Sequence, residues 1–133
     1  MRDPLMVKEI ARSGVWVLPS TSIKEAARKI SEGNNIALLV KTTDDEFMGV
    51  FSYVQLSEAV AQGDVEASIE QYVDTEPTFV MYDADVVDAL RLMKKFETPY
   101  LVVLNEDEEP YAVVMAIDVI KAITPIIENL LGE

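Results

Sequence analysis

The chain has 133 residues, half of them hydrophobic, and its 24 acidic against 11 basic side chains give a formal charge of −13. That length fits one compact domain or two very small ones sharing a core, and the acidity speaks against binding nucleic acid or anionic membranes, both of which need clustered Lys and Arg. With no cysteine and no histidine, disulfides, thiol nucleophiles, thiolate or imidazole metal sites and histidine-dependent triads are excluded, which makes an enzyme the least favoured class and leaves no catalytic or metal site to assign.

The apolar runs at 36–40 and 111–117 are too short to cross a bilayer, and Met1-Arg2-Asp3-Pro4 opens no secretory signal pattern, so a cytoplasmic protein is the expectation. In chain order, residues 4–12 read as a short helical lead-in. Val15-Trp16-Val17 is a β-prone run. Ser22, with Glu25 three residues on, reads as a helix N-cap and capping box, and Ile23, Ala26, Ala27 and Ile30 follow at helical spacing. After a polar break, runs of strand length at 36–40 and 47–51 flank an acidic turn at 42–46, and a helix is predicted over 53–61.

Residues 63–71 form a linker with helical character, and the pattern then starts again. Thr78-Phe79-Val80 is β-prone, Asp85 is an N-cap, and Val86, Ala89, Leu90 and Met93 mark a helix. Strand-length runs at 100–104 and 111–115 flank a second acidic turn at 105–109, and a helix is predicted over 116–123, with no cap residue before it. Thr124-Pro125 predicts a new N-cap with proline at the first helical position, and Ile126, Ile127, Leu130 and Leu131 would then give a final short helix an apolar stripe that covers the core or, as the alternative, a partner.

The recurrence is exact in register. At an offset of 63 (89 − 26), Val17 falls on Val80, Ala26 on Ala89, Ile30 on Met93, Leu38 on Leu101, Val40 on Val103 and Val50 on Val113, without a gap. Each half reads strand, helix, strand, strand, helix. About 60 residues are too few for a generous core alone, so the expected fold is α+β, with two βαββα units packed in pseudo-two-fold symmetry into one globule. The expected division is 1–63, the first unit with its N-terminal helical segment, and 64–133, the second with its helical linker and C-terminal helix.

This duplicated order of elements, with its Leu-Leu-Val and Leu-Val-Val strands and its hairpin leading into a Ser/Thr-x-x-Asp turn, resembles a tandem pair of CBS domains over nearly the whole chain. The resemblance implies a non-catalytic regulatory module that binds an adenine nucleotide or adenosyl compound (AMP, ADP, ATP or S-adenosylmethionine) in the cleft between the units. It implies that the turn's carboxylate grips the ribose hydroxyls and its hydroxyl meets a phosphate at the helix start. Here each half keeps one element of the turn. The first has Ser52 but Gln55 in place of the acid; the second has Asp118 but Met115 in place of the hydroxyl, and Ala112 in place of the glycine at Gly49. By resemblance, Met115, Val113, Val15 and the Asn35-Ile36 backbone would complete the Asp118 site. Val50, Thr78 and Thr98 would complete the Ser52 site.

Where the family often places basic residues, this chain has Asn34, Asn35, Thr98, Tyr53 and Ala116. A triphosphate would be poorly neutralised, which favours AMP, adenosine or S-adenosylmethionine; no cofactor is required. The resemblance also implies a homodimer and a regulated protein partner. The alternative is a dimerising module that has lost nucleotide binding. The acidic turns at 42–46 and 105–109 read as solvated loops, since their spacing matches no calcium-binding loop.

Overall fold

The computed structural model describes residues 5–33 and 37–131. It divides into two compact units: Gly14–Pro77, and the residues from Thr78 onward together with those up to Ser13. Packing thus exchanges the lead-in segments. The residues before the first half belong with the second, and the linker between the halves belongs with the first.

The Gly14–Pro77 unit contains β2 (Trp16–Val17), α2 (Ile23–Glu32), β3 (Ala37–Lys41), β4 (Phe47–Ser52), α3 (Tyr53–Ala61) and a 3-10 turn at Glu70–Tyr72. Its sheet runs β2-β3-β4, parallel then antiparallel. Asp74 adds an edge bridge to Val50 through two backbone hydrogen bonds of 2.8 and 2.9 Å. The other unit contains α1 (Val7–Ile10), β1 (Arg12–Ser13), β5 (Phe79–Met81), α4 (Val86–Phe96), β6 (Tyr100–Leu104), β7 (Pro110–Met115) and α5 (Ala116–Leu131). Its sheet runs β5-β6-β7-β1, so β1 takes the edge position that Asp74 takes in the first unit.

Local chemistry explains the elements. The Ser22 hydroxyl accepts the Glu25 N–H at 3.0 Å and the Asp85 carboxylate accepts the Val87 N–H at 2.7 Å, so both N-caps form as the sequence indicates. Glu25 turns to Arg28 at 2.7 Å. The hairpins β3-β4 and β6-β7 share a register irregularity at equivalent places, Val40/Lys41 and Val103/Leu104. Each turn also holds one residue with positive φ, Asp45 at 65° and Glu108 at 59°. The Asn105 side-chain Oδ1 accepts the N–H groups of Asp107 and Glu109, and the Thr42 hydroxyl accepts those of Asp44 and Glu46. The polar residues of these turns therefore close the hairpins by local hydrogen bonding.

The repeat is realised as two equivalent cores. One joins Val17, Ala26, Ile30, Leu38, Val40 and Phe51; the other joins their mates Val80, Ala89, Met93, Leu101, Val103 and Val114. Each fully buried aliphatic side chain contributes about 1.5–3 kcal/mol. The exchanged lead-ins complete both cores. Ile69 is fully buried in the first, its N–H bonded to the Thr21 carbonyl at 2.8 Å, and Val7 is fully buried in the second, its N–H bonded to the Ala84 carbonyl at 2.8 Å.

The C-terminal helix departs from expectation. α5 runs unbroken from Ala116 through Leu131 with Pro125 inside it, and the Thr124 hydroxyl donates back to the Ile120 carbonyl instead of capping a new helix. Proline's fixed φ is helical, so a continuing helix and a helix start look alike over this dipeptide. Ile123, packed against the second core, holds the preceding turn in place. Ile126, Ile127 and Leu130 are exposed, so this end of the helix does not cover the core.

One side chain gives the first core a pH dependence. The buried Tyr72 hydroxyl donates to the Asp64 carboxylate, and that bond, followed by burial and the charges of Asp64 and Glu58, pushes the phenol up from 10.0 to about 12. A folded-state value above the unfolded one means that this contribution is complete below about pH 10 and is lost as pH rises through about 12. Tyr72→Phe is expected to remove this component. Urea midpoints compared at neutral pH and near pH 11 check it: the wild type falls more steeply than the variant, and parallel slopes would show that Tyr72 is not the source.

Candidate functional site

The two turns that enter α3 and α5 are built differently. In the first unit, Ser52 ends β4, is fully buried and caps α3. Its hydroxyl accepts the Val54 N–H at 3.0 Å and donates to Gln55 Oε1 at 2.6 Å, and the same oxygen accepts the Ser52 N–H at 2.8 Å. Ser52 and Gln55 thus form a reciprocal capping box, an arrangement that fixes a helix start. Val50, two residues back, is fully buried and bridged to Asp74.

In the second unit, β7 delivers Val113 and Met115, both buried, to the start of α5, and the Ala116 N–H bonds the Pro99 carbonyl at 2.8 Å. Asp118 lies in the first turn of α5, where the helix dipole favours a carboxylate. Arg12 meets it from β1. Nε donates to Oδ2 at 2.7 Å and Nη2 donates to Oδ1 at 3.0 Å, with side-chain exposures of 29% for Arg12 and 17% for Asp118. This is a two-pronged, partly desolvated ion pair, the strong form of an Arg–carboxylate contact. It raises the Arg12 pKa, chiefly through the hydrogen bond to Asp118 and against the opposing effect of burial.

Sequence reasoning did not single out Arg12. The strand register puts Arg12 opposite Val113, and Asp74 opposite Val113's repeat mate Val50. The pair unites residues 106 positions apart, and no local spacing announces such a contact. The only available signal was the isolated arginine just ahead of the first β-prone run.

The remaining expected site residues distribute as follows. Asp118, Met115 and Val113 come together at the β7–α5 turn, and Ser52, Gln55 and Val50 at the β4–α3 turn. Thr78 and Thr98 belong to the second unit: the Thr78 carbonyl accepts the Val102 N–H, and the Thr98 hydroxyl donates to the Tyr100 carbonyl at 3.0 Å. Val15 lies in the first unit, half-buried, its carbonyl accepting the Leu39 N–H. Asn35 and Ile36, like Asn34, lie outside the described residues. Trp16 stacks edge-on against Phe47 at 6.2 Å with the Lys41 ammonium over its ring, so packing accounts for it.

A cavity of about 300 Å³ lies at the opposite end of β7, lined by Tyr82, Asn105, Glu106, Asp107 and Tyr111. Burial, then the charges of Glu106 and Asp83, raises the Tyr82 phenol. Its acidic lining repels phosphate.

Comparison with known proteins assigns both halves of the chain to one family. The CBS domain profile matches twice, over residues 7–62 and 69–125. The chain belongs to the CBS domain family and carries the domain as a tandem pair, and its mixed α/β fold matches solved CBS pairs. An uncharacterized 17.7 kDa protein of Acidianus ambivalens is 26% identical over 118 residues, spanning 88% of this chain and 72% of that one. The CBS domain protein PAE2072 of Pyrobaculum aerophilum, solved with AMP, superposes with a TM-score of 0.80 at 20% identity, covering 97% of this chain and 100% of that one. The CBS domain pair of protein MJ0100, solved with 5′-methylthioadenosine and S-adenosyl-L-methionine, gives 0.82 at 18% identity, covering 93% and 99%. Among the described residues, no helix is long and apolar enough to cross a membrane.

Proposed function

We propose that this chain is a non-catalytic, cytoplasmic sensor that binds one adenosyl compound at the β7–α5 turn and reports it to a protein partner. The observation that carries this reading is the asymmetry of the turns. Asp118 is a carboxylate in the first turn of a helix, at the position where the family grips ribose, and its oxygens face the Arg12 guanidinium of another element, β1. Gln55 and Ser52, its counterparts in the other unit, are committed to each other. Met115 is buried beside Asp118 and offers a soft, polarizable wall to an adenine ring or a thioether. The uncharged Thr98, Tyr53 and Ala116 at positions where the family often has basic residues favour AMP, adenosine or S-adenosylmethionine over ATP. Relatives of the same fold solved with AMP and with S-adenosyl-L-methionine support the ligand class.

Isothermal titration with AMP, adenosine, ATP and S-adenosylmethionine tests the proposal. The expected result is one site per chain, ATP the weakest, with binding untouched by Gln55→Ala. Two equal sites, or the strongest binding for ATP, would contradict it. Silence toward every adenosyl compound would favour the second reading, a dimerising module without a ligand. That reading draws support from an exposed apolar face on α5, where Ile117, Ile120, Ile126, Ile127 and Leu130 all meet solvent. Homodimerisation is compatible with both readings, and sedimentation velocity reports it directly.

A further inference from the structure

We infer that Arg12 is a latch on the ligand site: it occupies the Asp118 carboxylate when the site is empty and is released from it when ribose binds. This rests on the reading of Asp118 as the ribose-gripping residue. The two oxygens that would accept the ribose hydroxyls already accept two guanidinium N–H groups in a parallel fork, at 2.7 and 3.0 Å. A carboxylate presents its best lone pairs in its own plane, and a forked arginine takes one on each oxygen. A ribose diol that grips both oxygens in the same two-pronged manner needs those same two lone pairs and therefore competes with Arg12.

The repeat supplies an internal control. Opposite Val113 stands Arg12, and opposite the mate Val50 stands Asp74. Gln55 stands where Asp118 stands. The cation is thus found in the unit that has the carboxylate, while the unit with the amide has an anion at the matching edge. This charge exchange matches Arg12 to Asp118 and gives it no counterpart where there is nothing to latch.

The latch also has somewhere to send its signal. β1 is two residues long and held at the sheet edge by the pairs Arg12↔Val113 and Ser13↔Ala112. Immediately after Ser13 the chain passes into the other unit at Gly14. Releasing Arg12 removes a side-chain anchor from β1, so ligand occupancy loosens the segment that leads into the other unit. A site that is latched most of the time shows an apparent affinity lowered by the unlatched fraction, which for one molecule in ten is about tenfold.

Adenosine is the decisive probe, because it offers the ribose hydroxyls without a phosphate that could attract Arg12. In calorimetric titrations of the full chain, Arg12→Gln is expected to bind adenosine about tenfold or more tightly than the wild type. In the wild type, saturating adenosine is expected to shift the Arg12 Nε–H resonance to the position of a free guanidinium, a readout that needs no variant and so survives if Arg12→Gln folds poorly. Equal or weaker adenosine binding by the folded variant, or an unmoved Arg12 resonance in the saturated wild type, overturns the latch and leaves the adenosyl site standing. Silence of both proteins toward adenosine, AMP and S-adenosylmethionine overturns the site itself, and the latch with it.

Discussion

Gly49→Ala is expected to lower stability by about 2–4 kcal/mol, combining overpacking with the strain or loss of adjoining hydrogen bonds. A methyl at this position would sit 2.1 Å from the Asp74 carbonyl oxygen and 2.8 Å from the Val73 side chain. The obstruction is backbone, and it cannot step back freely, because the Val50–Asp74 bridge holds it by two hydrogen bonds. The second unit offers the control. There Ala112 occupies the equivalent position, buried and paired with Ser13, so the methyl that the first unit rejects is part of the second core. Ala112→Gly is expected to cost only about 1 kcal/mol, through backbone entropy and a lost methyl. Urea midpoints of the two variants should therefore differ strongly. A Gly49→Ala protein within about 0.5 kcal/mol of the wild type, the range of an ordinary surface change, would mean that the edge at Asp74 is loosely held.

Asp118→Ala is expected to have two separable effects. Adenosyl binding should be lost, because the ribose-gripping position of the other turn is held by Gln55. Stability should also fall by about 1–2 kcal/mol, between the values of exposed and buried ion pairs, because Arg12 is left partly desolvated at the positive end of a helix. Thermal or urea unfolding without ligand reads the second effect, and titration reads the first. A double-mutant cycle with Arg12→Gln and Asp118→Asn isolates the coupling. A coupling indistinguishable from zero would show that the pair is too solvated to hold anything in place.

The two turns show how much of the site could be read from residues alone. Ser52 and Asp118 were singled out by the resemblance of their turns to the CBS pattern, and both stand at helix starts. Gln55, read as a weakened ligand residue, proves to be one half of a cap, because an amide three residues after a serine meets its own backbone before any ligand arrives. Arg12 could not be found in this way. Its partner lies 106 residues distant, and that meeting depends on which sheet edge the lead-in segment joins. The Thr124-Pro125 boundary failed for a related reason: the dipeptide is compatible with both a helix start and a helix interior, and the preceding turn decided between them.

What the sequence determined by itself is the unit: its length, its order of strands and helices, its caps and the apolar positions of its core. Periodicity and capping act over a few residues and recur at a fixed offset, so they are legible without a partner. Tertiary structure decided which lead-in segment completes which core, and so placed Arg12 against Asp118 rather than Asp74. The two lead-ins are similar in apolar character, with Val7 and Ile69 filling equivalent places. Burial alone therefore does not distinguish them; the path of the folded chain does, and it sets the charge beside each helix start.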